Sequence, residues 1–286
     1  VVAQYHIIGA SGRSGAALCR SLLGDGLAPV PVVRSAARWA TTGLPGTARL
    51  ADLEDGAALG RALAGATHVV SCAHARHASA ILAAGPSDAA FVFLGSTRKF
   101  TRWPDTHGNG VLAGEAAFLA SGRAGVMLHP TMIYGAQGED NVQRLAALLR
   151  RLPVVPLPGG GRALVQPIHQ DDLTLCLRAA LRRPWPRSAS LVVAGPEAVS
   201  YAAFVRAVAA AAGLRPPRFV SVPGTALRLA ASITSAMPLL PRVRPDEMRR
   251  LMEDKAFDIG PMRWELGVEP VSLAEGLERL PWKTRR

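Results

Sequence analysis

The sequence predicts an α/β fold: a doubly wound parallel sheet joined to a smaller, mostly helical C-terminal lobe. Three observations carry that reading. Short apolar runs alternate with stretches of helical spacing from Tyr5 to Leu128, and a glycine-rich turn follows the first of them. The composition is 49% apolar but only 5% aromatic, which suits Ala- and Leu-rich helices packed closely on a sheet better than an aromatic-lined β-sandwich. At 286 residues with 19% charged, the chain is long enough for one large α/β unit or two joined lobes, and disorder, collagen and a small disulfide scaffold are excluded.

Tyr5-His6-Ile7-Ile8 reads as a strand that breaks at the turn running from Gly9 to Gly15, after which Leu18, Leu22 and Leu23 fall at helical spacing. Val30-Pro31-Val32-Val33 is the second strand and closes a βαβ unit. A third strand runs into Leu50-Ala51-Asp52-Leu53, followed by a helix over 56–63, a strand over 68–73 and a helix over 77–84. A strand over 91–94, a helix over 111–120 and a strand over 125–128 complete the alternation, which implies a sheet covered on both faces. Beyond Gly135 the rhythm changes. A helix around 141–151 precedes a Pro/Gly-rich segment over 152–161, an extended stretch over 165–169 and a strand over 191–194. From Ser200 the chain reads as mostly helical, cut by Pro216, Pro217, Pro223, Pro238, Pro241 and Pro245.

Lys+Arg outnumber Asp+Glu by 33 to 21, and only Lys99, Lys255 and Lys283 among those bases are lysines. A surplus of +12 attracts phosphorylated cofactors, nucleic acid, acidic lipid or an acidic protein face without choosing among them. The arginines are scattered and no basic run is interleaved with aromatics, which argues against nucleic acid and leaves peripheral membrane contact open. Cys19, Cys72 and Cys176 are odd in number and far apart, with no CxxC or Cys/His ligand spacing. Neither a disulfide framework nor a metal site is expected, and the cytoplasm or another reducing compartment fits. Import into an organelle stays open, because the chain begins without Met and an upstream segment could have been removed. The stretch 224–241 is the most membrane-like, but Arg228 and Pro238 interrupt it and it is shorter than a bilayer requires. It reads as a buried or surface-lying amphipathic helix.

Gly9-x-x-Gly12-x-x-Gly15 is the first chemical signal. Gly9 permits a tight turn after the strand, Gly12 lets the backbone approach a diphosphate, and Gly15 allows close helix–strand packing, while the helix N-terminus presents N–H groups to an anion. Its place between a strand and a helix makes it a dinucleotide-binding turn of the Rossmann type, with Ser11, Arg13 and Ser14 beside the phosphates. The second strand ends in Arg34-Ser35, with Arg38 beyond, where an acidic residue would accept ribose hydroxyls and repel a 2′-phosphate. Guanidinium groups there, with Arg13 projecting toward them, favour NADP(H) over NAD. Asp52 and Leu53 stand where an adenine amino group would find a carboxylate and an apolar wall. On this reading residues 1–135 form the NADP-binding core, 136–196 a mixed segment whose strands return to it, and 197–286 a smaller substrate or docking lobe.

The chain resembles an extended short-chain dehydrogenase/reductase, of the NAD(P)-dependent epimerase/dehydratase type, over nearly its whole length. Gly9 to Gly15 (GASGRSG) matches that family's GxxGxxG, Val33-Arg34-Ser35 its NADP-type second-strand ending, and Phe91 to Thr97 (FVFLGST) the strand that delivers the active-site hydroxyl. His129-Pro130-Thr131-Met132-Ile133-Tyr134-Gly135 is close to RPTxIYG, residues 166–173 (QPIHQDDL) to QPVHVDD, Ala194-Gly195-Pro196 to the following strand end, and residues 265–270 (ELGVEP) to the C-terminal ELGxxP. The resemblance implies cofactor contacts at Ala73, His129, Pro130 and Met132 and a catalytic hydroxyl at Ser96.

The departure matters as much. The family's proton chemistry rests on a Tyr-x-x-x-Lys pair, with a Glu four residues beyond the Lys. Glu115 fits the Glu, which puts Val111 at the Lys position and His107 at the Tyr position. No other register supplies the pair, because the residues four beyond Tyr5, Tyr134 and Tyr201 are Gly9, Gly138 and Val205. His107 is then a candidate proton donor, set against a plainer reading as part of a polar loop after Trp103-Pro104-Asp105. Lys99 reads as a substitute or a solvated loop charge, and Asp171-Asp172 as a helix N-cap rather than an acid/base pair. Three functions follow from the resemblance: an NADP(H)-dependent reductase or other oxidoreductase on a small molecule with a non-standard site; a non-catalytic NADPH-binding scaffold, like the accessory subunit of respiratory complex I; and, weakest, a nucleotide-sugar epimerase or dehydratase. Oligomeric state is not legible.

Overall fold

The computed structural model describes residues 3–135, 141–152, 154–223 and 252–282. The stretch 224–241, read above as an amphipathic helix, lies outside the described residues. In chain order the first half contains β1 (Tyr5–Ile8), α1 (Arg13–Gly24), β2 (Val30–Val33), α2 (Ala36–Ala40), β3 (Arg49–Leu50), α3 (Gly56–Leu63), β4 (His68–Ser71), α4 (Ala78–Ala84), β5 (Ala90–Leu94), α5 (Thr106–Ser121) and β6 (Gly125–Pro130). Then follow β7 (Ile133–Tyr134), α6 (Asn141–Leu149), β8 (Val154–Pro158), β9 (Leu164–Val165), β10 (Ile168–His169), α7 (Gln170–Arg182), β11 (Ser188–Val193), β12 (Val199–Ser200), α8 (Tyr201–Ala211) and β13 (Arg218–Val222). After residue 251 come α9 (Gly260–Leu266) and α10 (Leu273–Glu278).

Seven strands form one parallel sheet in the order β11-β6-β5-β4-β1-β2-β3. The order turns back at β1 and β4, so the carboxyl ends of these strands open a crevice between the two directions of winding. Alternate strand residues face opposite layers. Ile7, Val33, Val70, Val92, Val126 and Leu128 join a core with Leu18 and Leu22 of α1, Leu173 and Leu177 of α7, and Met262 and Leu266 of α9. Their neighbours Ile8, Val32, Val69, Phe91, Phe93 and Met127 pack against Leu59 and Leu63 of α3, Ile81 of α4, and Val111 and Phe118 of α5. A third core joins α6, β8, α8 and α10 through Val142, Leu157, Val205, Val208 and Leu277. The mixed segment and the C-terminal part thus share that core: β8 pairs with β13 and β9 with β12, while α9 returns to the first core.

Three local expectations are corrected. The fifth helix starts at Thr106, five residues earlier than its apolar spacing implies, because the Asp105 side chain accepts from the Gly108 amide and caps it. His107 therefore lies in its first turn, not in a loop. Lys99 is not solvated: its side chain is 10% exposed and pairs with Glu115. The cap of α7 is His169, whose ring accepts from the Asp171 amide, while Asp171 and Asp172 occupy the first turn.

Candidate functional site

The turn after β1 is shaped by its glycines. Gly9 has φ +73°, open to a residue without Cβ, and its carbonyl accepts from the Gly12 amide at 2.8 Å. A Cβ on Gly15 would come within 2.3 Å of the Gly9 oxygen, so only glycine lets α1 start this close to the strand. Gly12 caps α1 with no side-chain acceptor, and no acidic residue lies in the first turn. Backbone amides at the positive end of a twelve-residue helix thus face the crevice.

A cleft of about 390 Å³ opens above this turn. Gly9, Ser11 and Gly12 form its floor, Arg34 and Arg38 stand at the end of β2, and Asp52 and Leu53 follow β3. Ala73, Arg76 and His77 complete the wall after β4. Arg76 and His77 were not singled out in the sequence, although their position directly after a strand carboxyl end was a signal for them. A second hollow of about 200 Å³ is lined by Gly12, Arg13, Ser14, Gly15, Ile133 and Gln170. Arg13 lines this hollow. Ser14 Oγ donates to Gln170 Oε1 at 3.0 Å, and Gln170 Nε2 donates to Thr174 Oγ1 at 3.1 Å, so α7 braces the glycine turn. Ser35 caps α2 by accepting from the Arg38 amide, and Asp52 Oδ1 accepts from the Glu54 amide.

At the end of β5 a different constellation forms. Ser96 caps a 3-10 turn over Thr97–Phe100, its Oγ accepting from the Arg98 amide. The Ser96 amide donates to His129 Nδ1 at 3.2 Å, which leaves His129 Nε2 to donate to Glu115 Oε1 at 3.1 Å. Lys99 Nζ and Ser190 Oγ converge on the same oxygen, each at 2.5 Å. Burial pushes the Glu115 carboxyl up, but hydrogen bonds from His129, Lys99 and Ser190 outweigh it and hold the group down at about 2. His129 is fully buried with both ring nitrogens engaged, Pro130 is buried, and Met132 is exposed. His107 packs against His74 of the loop after β4. Arg98 bridges to Asp105 and so ties the 3-10 turn to the start of α5. Among the described residues no group of three or more His, Cys, Asp or Glu is placed to hold a metal, and no helix is long and apolar enough to cross a membrane.

No family model and no curated protein matches the sequence. Solved structures do. An NADPH-dependent quinone oxidoreductase from Escherichia coli, complexed with NADPH, matches at TM-score 0.74 and 18% identity over 96% of this chain and 98% of that one. A UDP-glucose 4-epimerase from Thermotoga maritima, with UDP-glucose, matches at TM-score 0.71 and 15% identity over 96% of both chains. A short-chain dehydrogenase/reductase superfamily protein from Agrobacterium tumefaciens, with bound NAD, matches at TM-score 0.70 and 16% identity over 96% of this chain and 94% of that one. The chain shares the Rossmann-type fold of these proteins.

Proposed function

We propose that the protein binds NADP(H) in the main cleft and is an oxidoreductase acting on a small molecule without a Tyr–Lys pair. The observation that carries this is the convergence, at the carboxyl ends of β1, β2 and β4, of the glycine turn with Arg34, Arg38 and Arg76. The glycine turn lining the cleft, beside α1 amides with no side-chain cap, suits a diphosphate. The guanidinium groups suit a 2′-phosphate, and Asp52 with Leu53 suits an adenine edge and face. Bound there, the nucleotide would supply two-electron redox chemistry. Similarity to proteins described with NADPH, NAD and a UDP-sugar supports a nucleotide ligand.

Calorimetry on protein stripped of endogenous ligand tests the reading. NADPH should bind, and Arg34→Asp should weaken it roughly ten- to a hundredfold, the worth of a charged hydrogen bond or two, with a much smaller effect on NADH. Equal losses for both nucleotides would remove Arg34 from phosphate recognition, and no heat with either would remove the cofactor.

One observation favours a second reading, a scaffold or accessory subunit of a larger complex that retains NADPH without turning it over. Val111 is buried in the core and Lys99 is tied to Glu115, so the ammonium that reaches α5 through Glu115 is already neutralised. Bound NADPH that resists oxidation by a panel of carbonyl and enone compounds would favour that reading. An epimerase or dehydratase ranks below both, because on the family resemblance it would need the absent pair.

A further inference from the structure

Two histidines from different elements meet beside the cleft. His74 lies between Ala73 and Arg76, both of which line it, and His107 is exposed in the first turn of α5. His74 Nε2 is 3.2 Å from His107 Nδ1, and the rings meet edge to face with centroids 4.4 Å apart. The surroundings accommodate this contact. A Cβ on Gly110 would come within 2.9 Å of His74 Cε1, so glycine one turn along α5 makes room for the ring.

The hydrogen bonds assign the protons. The Arg76 amide donates to His74 Nδ1 at 3.1 Å, so that nitrogen carries a lone pair and the His74 proton sits on Nε2. That N–H points at His107 Nδ1, which accepts. His107 keeps its one proton on Nε2, the nitrogen turned away from the pair. A second proton has no suitable place: on His107 Nδ1 it would face the His74 N–H, and on His74 Nδ1 it would face the Arg76 N–H. The surrounding charges act in the same sense. Burial, Arg98 and Arg76 push His107 below the ordinary imidazole value against the opposing pull of Asp105. Burial, His107, Arg76 and His77 lower His74, opposed by a backbone hydrogen bond at His107.

We propose that His107, held by His74 with its only proton on Nε2, is the hydrogen-bond donor this site offers to a substrate oxygen that gains negative charge, and that His74 is its positioning residue. The proposal rests on the nucleotide-binding reading above and narrows the proton donor expected from the sequence to a neutral hydrogen-bond donor. A neutral imidazole can polarise a carbonyl while keeping its proton, and it does so at pH 7 without a cationic state that Arg76 and Arg98 oppose.

The test is a pH titration of histidine-labelled protein by long-range 1H–15N correlation, first without nucleotide. His107 should titrate below about 6.5 and show an unprotonated, accepting Nδ1 at pH 7. His74→Phe should raise its midpoint by roughly 0.5–1 pH unit, the worth of the lost hydrogen bond, and His74→Gln, whose amide can donate to Nδ1, should restore it toward the wild-type value. A His107 midpoint at or above the ordinary value, or one unmoved by His74→Phe, would overturn the pair. In NADP+-loaded protein, a panel of carbonyl and enone compounds should shift the His107 Nε2 resonance, and silence across the panel would overturn the donor role. Failure of NADP+ itself to bind would count against the proposed function, while the nucleotide-free titration would still decide the pair.

Discussion

Glu115 shows how much one residue can depend on its neighbours. Its side chain is 12% exposed, and a single oxygen accepts from Lys99, His129 and Ser190. An unpaired carboxylate at such a place would be costly, and so would an unpaired ammonium. Glu115→Ala should therefore destabilise the protein by about 3–5 kcal/mol, because it leaves the Lys99 ammonium and two further donors without their acceptor. The double variant Lys99→Met/Glu115→Leu should cost clearly less than Glu115→Ala alone, since both charges leave together. Urea midpoints of the two variants check this; equal losses would mean that the ion pair is not what the single substitution breaks. None of this was legible in the sequence. Lys99 and Glu115 lie sixteen positions apart on different elements, and only the packing of the 3-10 turn on α5 joins them. Gly9, Gly12 and Gly15, by contrast, act within one local turn, and there spacing alone was enough to place the glycines.

At the scale of elements, the strands and most helices could be read because each buries one apolar face against a single layer. Ile7 and Ile8, or Val32 and Val33, divide between the two cores as a doubly covered parallel sheet requires. The start of α5 could not, because Gly108 and Gly110 interrupt the helical spacing ahead of Val111, whereas Gly114 lies within the stretch read as helix. In the fold they permit close approach: a Cβ on Gly114 would lie 2.0 Å from the Ala75 oxygen, and one on Gly108 2.9 Å from the Arg98 oxygen. The destination of α9 was hidden too, since its apolar spacing suits a lobe helix as well as it suits the sheet core it covers. Two substitutions separate packing from propensity. Gly114→Ala must displace backbone and should cost about 1–3 kcal/mol despite the better helix former. Gly60→Ala in α3 meets nothing nearer than 3.9 Å and should stabilise by about 0.5–1 kcal/mol. Thermal melts of both check the pair, and a Gly114→Ala variant as stable as wild type would deny the close contact.

At the scale of the whole molecule, the shifted histidines all titrate in one direction. Burial lowers His6, His68, His74, His107 and His169. A histidine lowered in the fold binds its proton more readily when unfolded, so stability falls as pH drops below the unfolded value of about 6.5 and goes on falling until the folded value is passed. Glu115, held at about 2, adds a second loss from its unfolded value of about 4.3 downward. Asp172 works the other way: burial raises it, against a hydrogen bond from the Val271 amide, so its contribution is full at low pH and declines as pH rises through its folded value. One carboxyl opposes five histidines and Glu115, and the net expectation is a chain that weakens steadily from pH 7 to pH 4. Urea midpoints measured at pH 7, 5.5 and 4 should fall in that order. His6 offers the sharpest control, because its Nδ1 contacts the Ala62 carbonyl at 3.0 Å while Nε2 is buried without a partner. His6→Gln should lessen the loss between pH 7 and 5.5 and leave the Glu115 loss below it intact, whereas an unchanged profile would show that His6 does not contribute to the acid sensitivity.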